Sequence, residues 1–198
     1  ELKQSAVSAW AVGAGTTCHK PESKEEYLKL AATVDLMITI GYGKILTLDE
    51  LSAPTNGSIN LHFSLLPRWR GAAPVQRSIE AGDSVTGVTV FQLDEGMDTG
   101  PIYISKEVNI SDQDTTPVLL ERLTHLAIPD LLDLISKIGK TKATPQPLSG
   151  ATLAPKISKE MARILWESSI ETVLRQDRAL SDNPGIWSTF NGERISLH

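Results

Sequence analysis

Apolar and polar positions along the chain follow two periods in turn. Residues 36–40, Leu-Met-Ile-Thr-Ile, are a short apolar run ending at Gly41-Tyr42-Gly43. That length and glycine flank predict a buried parallel strand whose carboxyl end opens into a loop. Residues 58–62, after an Asn56-Gly57 turn, predict a second strand, and β-rich residues 85–93 and 102–110 predict two more. Helical spacing covers residues 1–12, with Leu2, Ala6, Ala9 and Trp10 along one face. Ser23-Lys24-Glu25-Glu26 reads as a capping box that starts a helix from 24 to about 33. Residues 72–81 predict a helix with Pro74 in its first turn. Residues 116–138 predict a long one that Pro129 should kink or divide.

Helices alternating with short strands predict an α/β fold, Rossmann-like, with a mainly parallel sheet that lacks its first strand. Residues 1–140 are expected to form this main domain. Residues 141–157 contain three prolines and no periodicity, so they predict a linker. Residues 158–198 predict helical segments, one started by a capping box at Ser168-Ser169-Ile170-Glu171, and then a hairpin. Residues 186–190 and 193–197 flank Asn191-Gly192, the sequence of a type I′ turn. A hairpin alone is marginal in water, so it predicts the start of a small β domain.

The 198 residues are 40% hydrophobic, ordinary for a globular chain. The net charge of -5 does not favour a nucleic-acid binder, so an RNA partner must use a local basic patch or surfaces outside this chain. Cys18 is the only cysteine, which excludes an intrachain disulfide and fits a reducing compartment. Apolar runs are too short to span a bilayer, so no membrane partner is expected. No secretory leader is visible, and a cytoplasmic location is the default expectation. The first residue is Glu1 rather than methionine, so processing, trimming or origin in a longer gene product is expected. His19, His125 and His198 lack metal-ligand spacing, and no metal is expected.

Candidate chemistry concentrates in Ser58-Ile59-Asn60-Leu61-His62. On a strand, Asn60 and His62 project from one face. Polar side chains on an otherwise apolar strand are costly unless paired or used. The carboxyl end of a parallel strand is where open α/β sheets bind ligands. An amide beside an imidazole suits acyl transfer, through oxyanion stabilisation and general acid catalysis. Asp98, in Gly96-Met97-Asp98-Thr99-Gly100, is the third candidate, a carboxylate that would favour the imidazolium and help move a proton. The bland alternative makes all three structural or turn residues. Asp98-Thr99-Gly100 also has the form of an aspartic-protease triplet, but no second Asp-Thr-Gly exists.

The string Asn60-Leu61-His62-Phe63-Ser64-Leu65-Leu66-Pro67 resembles the signature of the folate-dependent formyltransferases, and Asp98-Thr99-Gly100 matches that family's loop. The resemblance implies a formyltransferase fold with Asn60, His62 and Asp98 as the catalytic trio. It implies that Ser64, Leu65, Leu66 and Pro67 line a folate site, bordered by Gly41, Tyr42, Gly43, Leu93, Asp94, Glu95 and Gly96. It also implies 10-formyltetrahydrofolate as donor and the absence of the family's first strand and most of its C-terminal barrel. Residues 67–77, Pro-Arg-Trp-Arg-Gly-Ala-Ala-Pro-Val-Gln-Arg, are similar to the family's methionyl-tRNA branch. That similarity implies methionyl-initiator tRNA as acceptor, and a monomer is expected. Rival expectations are another acceptor, such as a sugar amine or water, and a folate- or RNA-binding module without catalysis. Arg68, Trp69 and Arg70 would either grip tRNA or anchor a loop.

Overall fold

A four-stranded mixed sheet with helices packed against it organises the chain. The structure is a computed structural model that describes residues 5–197. In chain order the elements are α1 (Ala6–Gly13), α2 (Lys24–Ala31), β1 (Met37–Ile40), α3 (Leu48–Ser52), β2 (Ser58–His62), β3 (Arg70–Gly71) and α4 (Pro74–Ala81). They continue as β4 (Val85–Gln92), β5 (Ile102–Asn109), α5 (Thr116–Lys137), β6 (Leu153–Ala154), α6 (Ile170–Leu180), β7 (Trp187–Phe190) and β8 (Glu193–Ser196). The α/β class holds.

The sheet has the order β1-β2-β4-β5. Only β1 and β2 are parallel, and β4 runs against both β2 and β5. The expectation of a mainly parallel sheet is therefore corrected. A short loop of residues 93–101 joins β4 to β5, and a connection that short turns the chain back rather than crossing it over.

Period two explains how β2 serves two environments. Ile59 and Leu61 enter a core with Val88 and Val90 of β4, Ile79 of α4 and Leu119 and Leu123 of α5. Asn60 and His62 lie on the opposite face, in register with Phe91 and Thr89.

Local signals were met with small shifts. The Ser23 hydroxyl accepts from Glu26 N–H, but Glu26 reaches back to the Glu22 N–H rather than to Ser23. Ser169, one residue past the expected cap, accepts from Thr172 N–H and starts α6. Helix α5 runs unbroken through Pro129. Proline deprives the His125 carbonyl of its partner, and the exposed helix surface there lets water replace it. In α1 the buried residues are Ser8 and Ala11, while Ala6, Ala9 and Trp10 face outward. The buried face is thus not the one that the spacing of Ala6, Ala9 and Trp10 predicts. Leu2 lies outside the described residues. Asn191 and Gly192 both have positive φ, 49° and 83°, as a type I′ hairpin requires.

Residues 141–157 are docked rather than loose. Thr144 and Ile102 exchange two backbone hydrogen bonds, at 2.7 and 2.8 Å, and β6 pairs in parallel with β3. Among the described residues, no helix is long and apolar enough to cross a membrane.

Candidate functional site

The carboxyl ends of β1 and β2 and the loop after β4 surround a cavity of about 280 Å³. Asn60, His62 and Asp98 all line it, although 38 positions separate Asn60 from Asp98 in sequence. Gly41, Tyr42, Gly43, Leu93, Asp94 and Gly96 also contribute to the wall. Glu95 does not, because it points from the loop into solvent. Residues not anticipated from the sequence include Lys44, Ile45 and Met97.

Asn60 donates from Nδ2 to Thr39 Oγ1 at 2.7 Å, and the Thr39 hydroxyl donates to Ile59 O at 3.4 Å. With its proton directed there, Thr39 can only accept, so the amide nitrogen of Asn60 turns toward it. A second Nδ2 hydrogen remains for a ligand. Thr39 was a missed residue with a visible signal: it is the one polar position in the apolar run 36–40.

His62 is buried, with Nε2 2.8 Å from Trp69 O and Nδ1 3.7 Å from Asp98 Oδ2. A carbonyl can only accept, so Nε2 carries the hydrogen and Nδ1 is the site that gains or loses a proton. Burial lowers the pKa of His62 below its ordinary 6.5, outweighing the opposite pull of Asp98 and the Trp69 carbonyl. The expectation that Asp98 keeps His62 charged at rest is corrected: desolvation wins, and the imidazole is neutral at neutral pH. The folded state then binds fewer protons than the unfolded chain, whose histidine titrates near 6.5. His62's contribution to stability is full above pH 6.5 and is lost as pH falls through the lower folded value. We expect the unfolding free energy to fall by at most about 1.4 kcal/mol per pH unit in that window from this group. Urea titrations at several pH values, compared with His62→Gln, check it: an equal slope in the variant would refute the assignment.

The turn after β2 explains how His62 meets that carbonyl. Thr89 donates to Ser64 O at 2.7 Å and accepts from Leu66 N–H at 3.1 Å, while Ser64 Oγ donates to Arg68 O at 2.6 Å. Ser64, Leu66 and Pro67 are buried, and none of Ser64, Leu65, Leu66 and Pro67 lines the cavity. The Ser64 hydroxyl and carbonyl and the Leu66 N–H are used in shaping the turn. Beyond it Trp69 takes a positive φ of 63°, which aims its carbonyl back at His62.

Asp83, placed at the end of α4, locks this turn. It accepts two hydrogen bonds from Arg68, at 2.8 and 2.6 Å, and one from the Trp69 indole at 2.8 Å. The Arg68 guanidinium stacks 4.4 Å over the Trp69 ring. Arg68 and Trp69 are thus committed internally, as the anchored-loop reading expects.

Asp98 sits at a positive φ of 54°, sparsely populated for a residue with a side chain. Its Oδ2 accepts from Gly71 N–H at 2.7 Å. Gly100 packs so tightly that a Cβ would lie 1.8 Å from Gln92 O. That glycine lets the loop approach its own strand rather than a ligand. Among the described residues no three His, Cys, Asp or Glu side chains form a group that could hold a metal ion.

An amide donor, a neutral imidazole and a carboxylate around one cavity can polarise a carbonyl and accept a proton from an attacking amine. Comparisons with known proteins agree with chemistry of that kind. The formyl transferase profile matches residues 13–133, and the profile for the formyl transferase C-terminal domain matches residues 156–198. Methionyl-tRNA formyltransferase from Jannaschia sp. is 40% identical over 199 residues, 98% of this chain and 66% of the relative. The protein of the same name from Salinispora tropica is 42% identical over 202 residues, 99% of this chain and 66% of the relative. The chain therefore spans 66% of the length of these two relatives. A sugar N-formyltransferase from Shewanella sp. shares the fold with a TM-score of 0.80 and 20% identity, over 96% of this chain and 79% of that one. HypX from Aquifex aeolicus in complex with tetrahydrofolic acid does so with a TM-score of 0.73 and 20% identity, over 86% of this chain and 30% of that one. With both profiles in order along it and relatives near 40% identical across nearly all of it, the chain belongs to the formyl transferase family.

Proposed function

We propose that the protein transfers a formyl group from 10-formyltetrahydrofolate to the α-amine of methionyl-initiator tRNA. The observation that carries this reading is the meeting of Asn60, His62 and Asp98 at one cavity. Relatives named methionyl-tRNA formyltransferase support the choice of acceptor. The cavity suits one end of a reduced folate. Its walls combine glycine backbone and apolar side chains with a few polar groups, and its volume suits a bicyclic ring rather than the whole molecule. Gly41, Tyr42, Gly43, Leu93, Asp94 and Gly96 would hold that end.

When bound, the folate supplies the activated formyl carbon. Asn60 donates its remaining amide hydrogen to the formyl oxygen as negative charge develops there. His62, neutral at rest, takes at Nδ1 the proton that the attacking amine loses. Asp98 steadies the imidazolium so formed, while the Trp69 carbonyl holds Nε2–H in place. The same proton then serves the departing nitrogen, so no group on the protein becomes covalently modified.

We further propose that residues 1–140 form the catalytic unit, that 141–157 link it to 158–198, and that the protein is a cytoplasmic monomer. Methionyl-initiator tRNA, free methionine and a sugar amine, each offered with 10-formyltetrahydrofolate, test the reading. Formylation of the esterified methionine is the expected result. Formate release without an acceptor would mark a hydrolase, and absence of transfer to the charged tRNA would sink the proposal.

A further inference from the structure

We infer that Gln146 is a positioning residue for Asp98; this inference rests on the reading of Asp98 as part of the reacting site. The Gln146 amide nitrogen donates to Asp98 O at 2.8 Å and to Gly100 O at 2.9 Å. Its oxygen accepts from Arg70 Nη2 at 2.5 Å. Both amide hydrogens and the carbonyl are therefore in use, which a carboxamide alone among the common side chains can satisfy in this arrangement.

Asp98 holds a positive φ, and a residue with a side chain persists there only when surrounding contacts over-determine it. Asp94 braces the front of the loop, accepting from Gly96 N–H and the Thr99 hydroxyl. Gly71 N–H reaches the Asp98 carboxylate itself. Gln146 grips the backbone on both sides of Thr99, and so sets where the carboxylate starts from.

Gln146 is in turn rigidly carried. Thr144, two residues before it, pairs with Ile102 at the start of β5. Six residues after it, Thr152 accepts at Oγ1 from Trp69 N–H and at its carbonyl from Arg70 N–H, both at 2.9 Å. The strap from 144 to 154 thus touches both neighbours of His62: the Asp98 loop at one end and Trp69 at the other. Arg70 Nε is buried without a partner, which leaves the Nη2 bond to Gln146 as that guanidinium's hold on the strap.

The test uses Gln146→Ala and Gln146→Glu in the intact protein. Formyl-transfer kinetics would be measured together with hydrogen exchange of the peptide covering residues 93–101. Glutamate keeps the acceptor that faces Arg70 but loses both donors to the loop carbonyls. Both variants are expected to lower kcat by roughly 10- to 100-fold, the cost of a misplacement near 1 Å, with KM nearly unchanged. Both should also speed exchange of the loop. A glutamate variant with wild-type kcat would mean that Gln146 acts only through Arg70, and the inference falls. Unchanged loop exchange in either variant overturns it as well. If the wild type transfers no formyl group while the variants still free the loop, the proposed function fails and the positioning role stands. Should the alanine variant not fold, the isosteric glutamate variant carries both readouts.

Discussion

Replacing His62 with alanine is expected to slow formyl transfer by roughly 10²- to 10⁴-fold, the usual contribution of a positioned acid or base. That corresponds to about 3–5 kcal/mol of transition-state stabilisation. The reason is specific to the ring's two nitrogens. Nε2–H is spent on the Trp69 carbonyl, so the proton traffic must pass through Nδ1, the atom facing Asp98. His62→Gln separates the two roles, since an amide N–H can replace the bond to Trp69 but cannot act as a base. Glutamine should therefore restore little of the rate. Folate affinity, measured by equilibrium binding, should change little in either variant, because the proposed holding residues lie on other loops. A rate near wild type for His62→Ala, in a protein shown to bind folate, would falsify the mechanism.

The second large effect is on stability. Phe91→Ala is expected to cost about 3–5 kcal/mol, a large share of the 5–15 kcal/mol typical of a domain. Phe91 has no exposed surface, lies opposite Asn60 across β2 and β4, and meets the His62 ring edge-on, with centroids 6.4 Å apart. Its removal leaves a void beneath the site face of the sheet, which neighbours held by a hydrogen-bonded ladder cannot readily fill. Urea denaturation followed by circular dichroism measures the loss. Phe190→Ala is the control: that ring is 66% exposed at the hairpin end and should cost only about 0.5 kcal/mol or less. Equal costs for the two variants would show that burial at Phe91 has been misjudged.

Asn60 and His62 could be found from the sequence because period two on a short apolar strand exposes any polar pair as an exception. Asp98 could be found because its glycine-flanked triplet matched a known loop, not because any spacing tied it to His62. Ser64, Leu65, Leu66 and Pro67 were assigned to a folate site by the same resemblance. The structure adds what they do to the backbone, because a motif identifies which residues matter and not how they shape the turn. Gln146 gave no signal, since it meets Asp98 across 48 positions of a proline-containing stretch with no period.

What the amino-acid order determined by itself is local: the Ser23 cap, the Asn191-Gly192 turn, the two faces of β2 and the succession of helices and strands. Each depends on interactions among residues within a few positions, whose geometry the backbone period dictates. Tertiary structure alone decided that β4 returns antiparallel, that Trp69 O faces His62, and that the strap from 144 to 154 braces the Asp98 loop. It also decided the protonation of His62, because desolvation depends on everything packed around the ring, and most of that is far away along the chain.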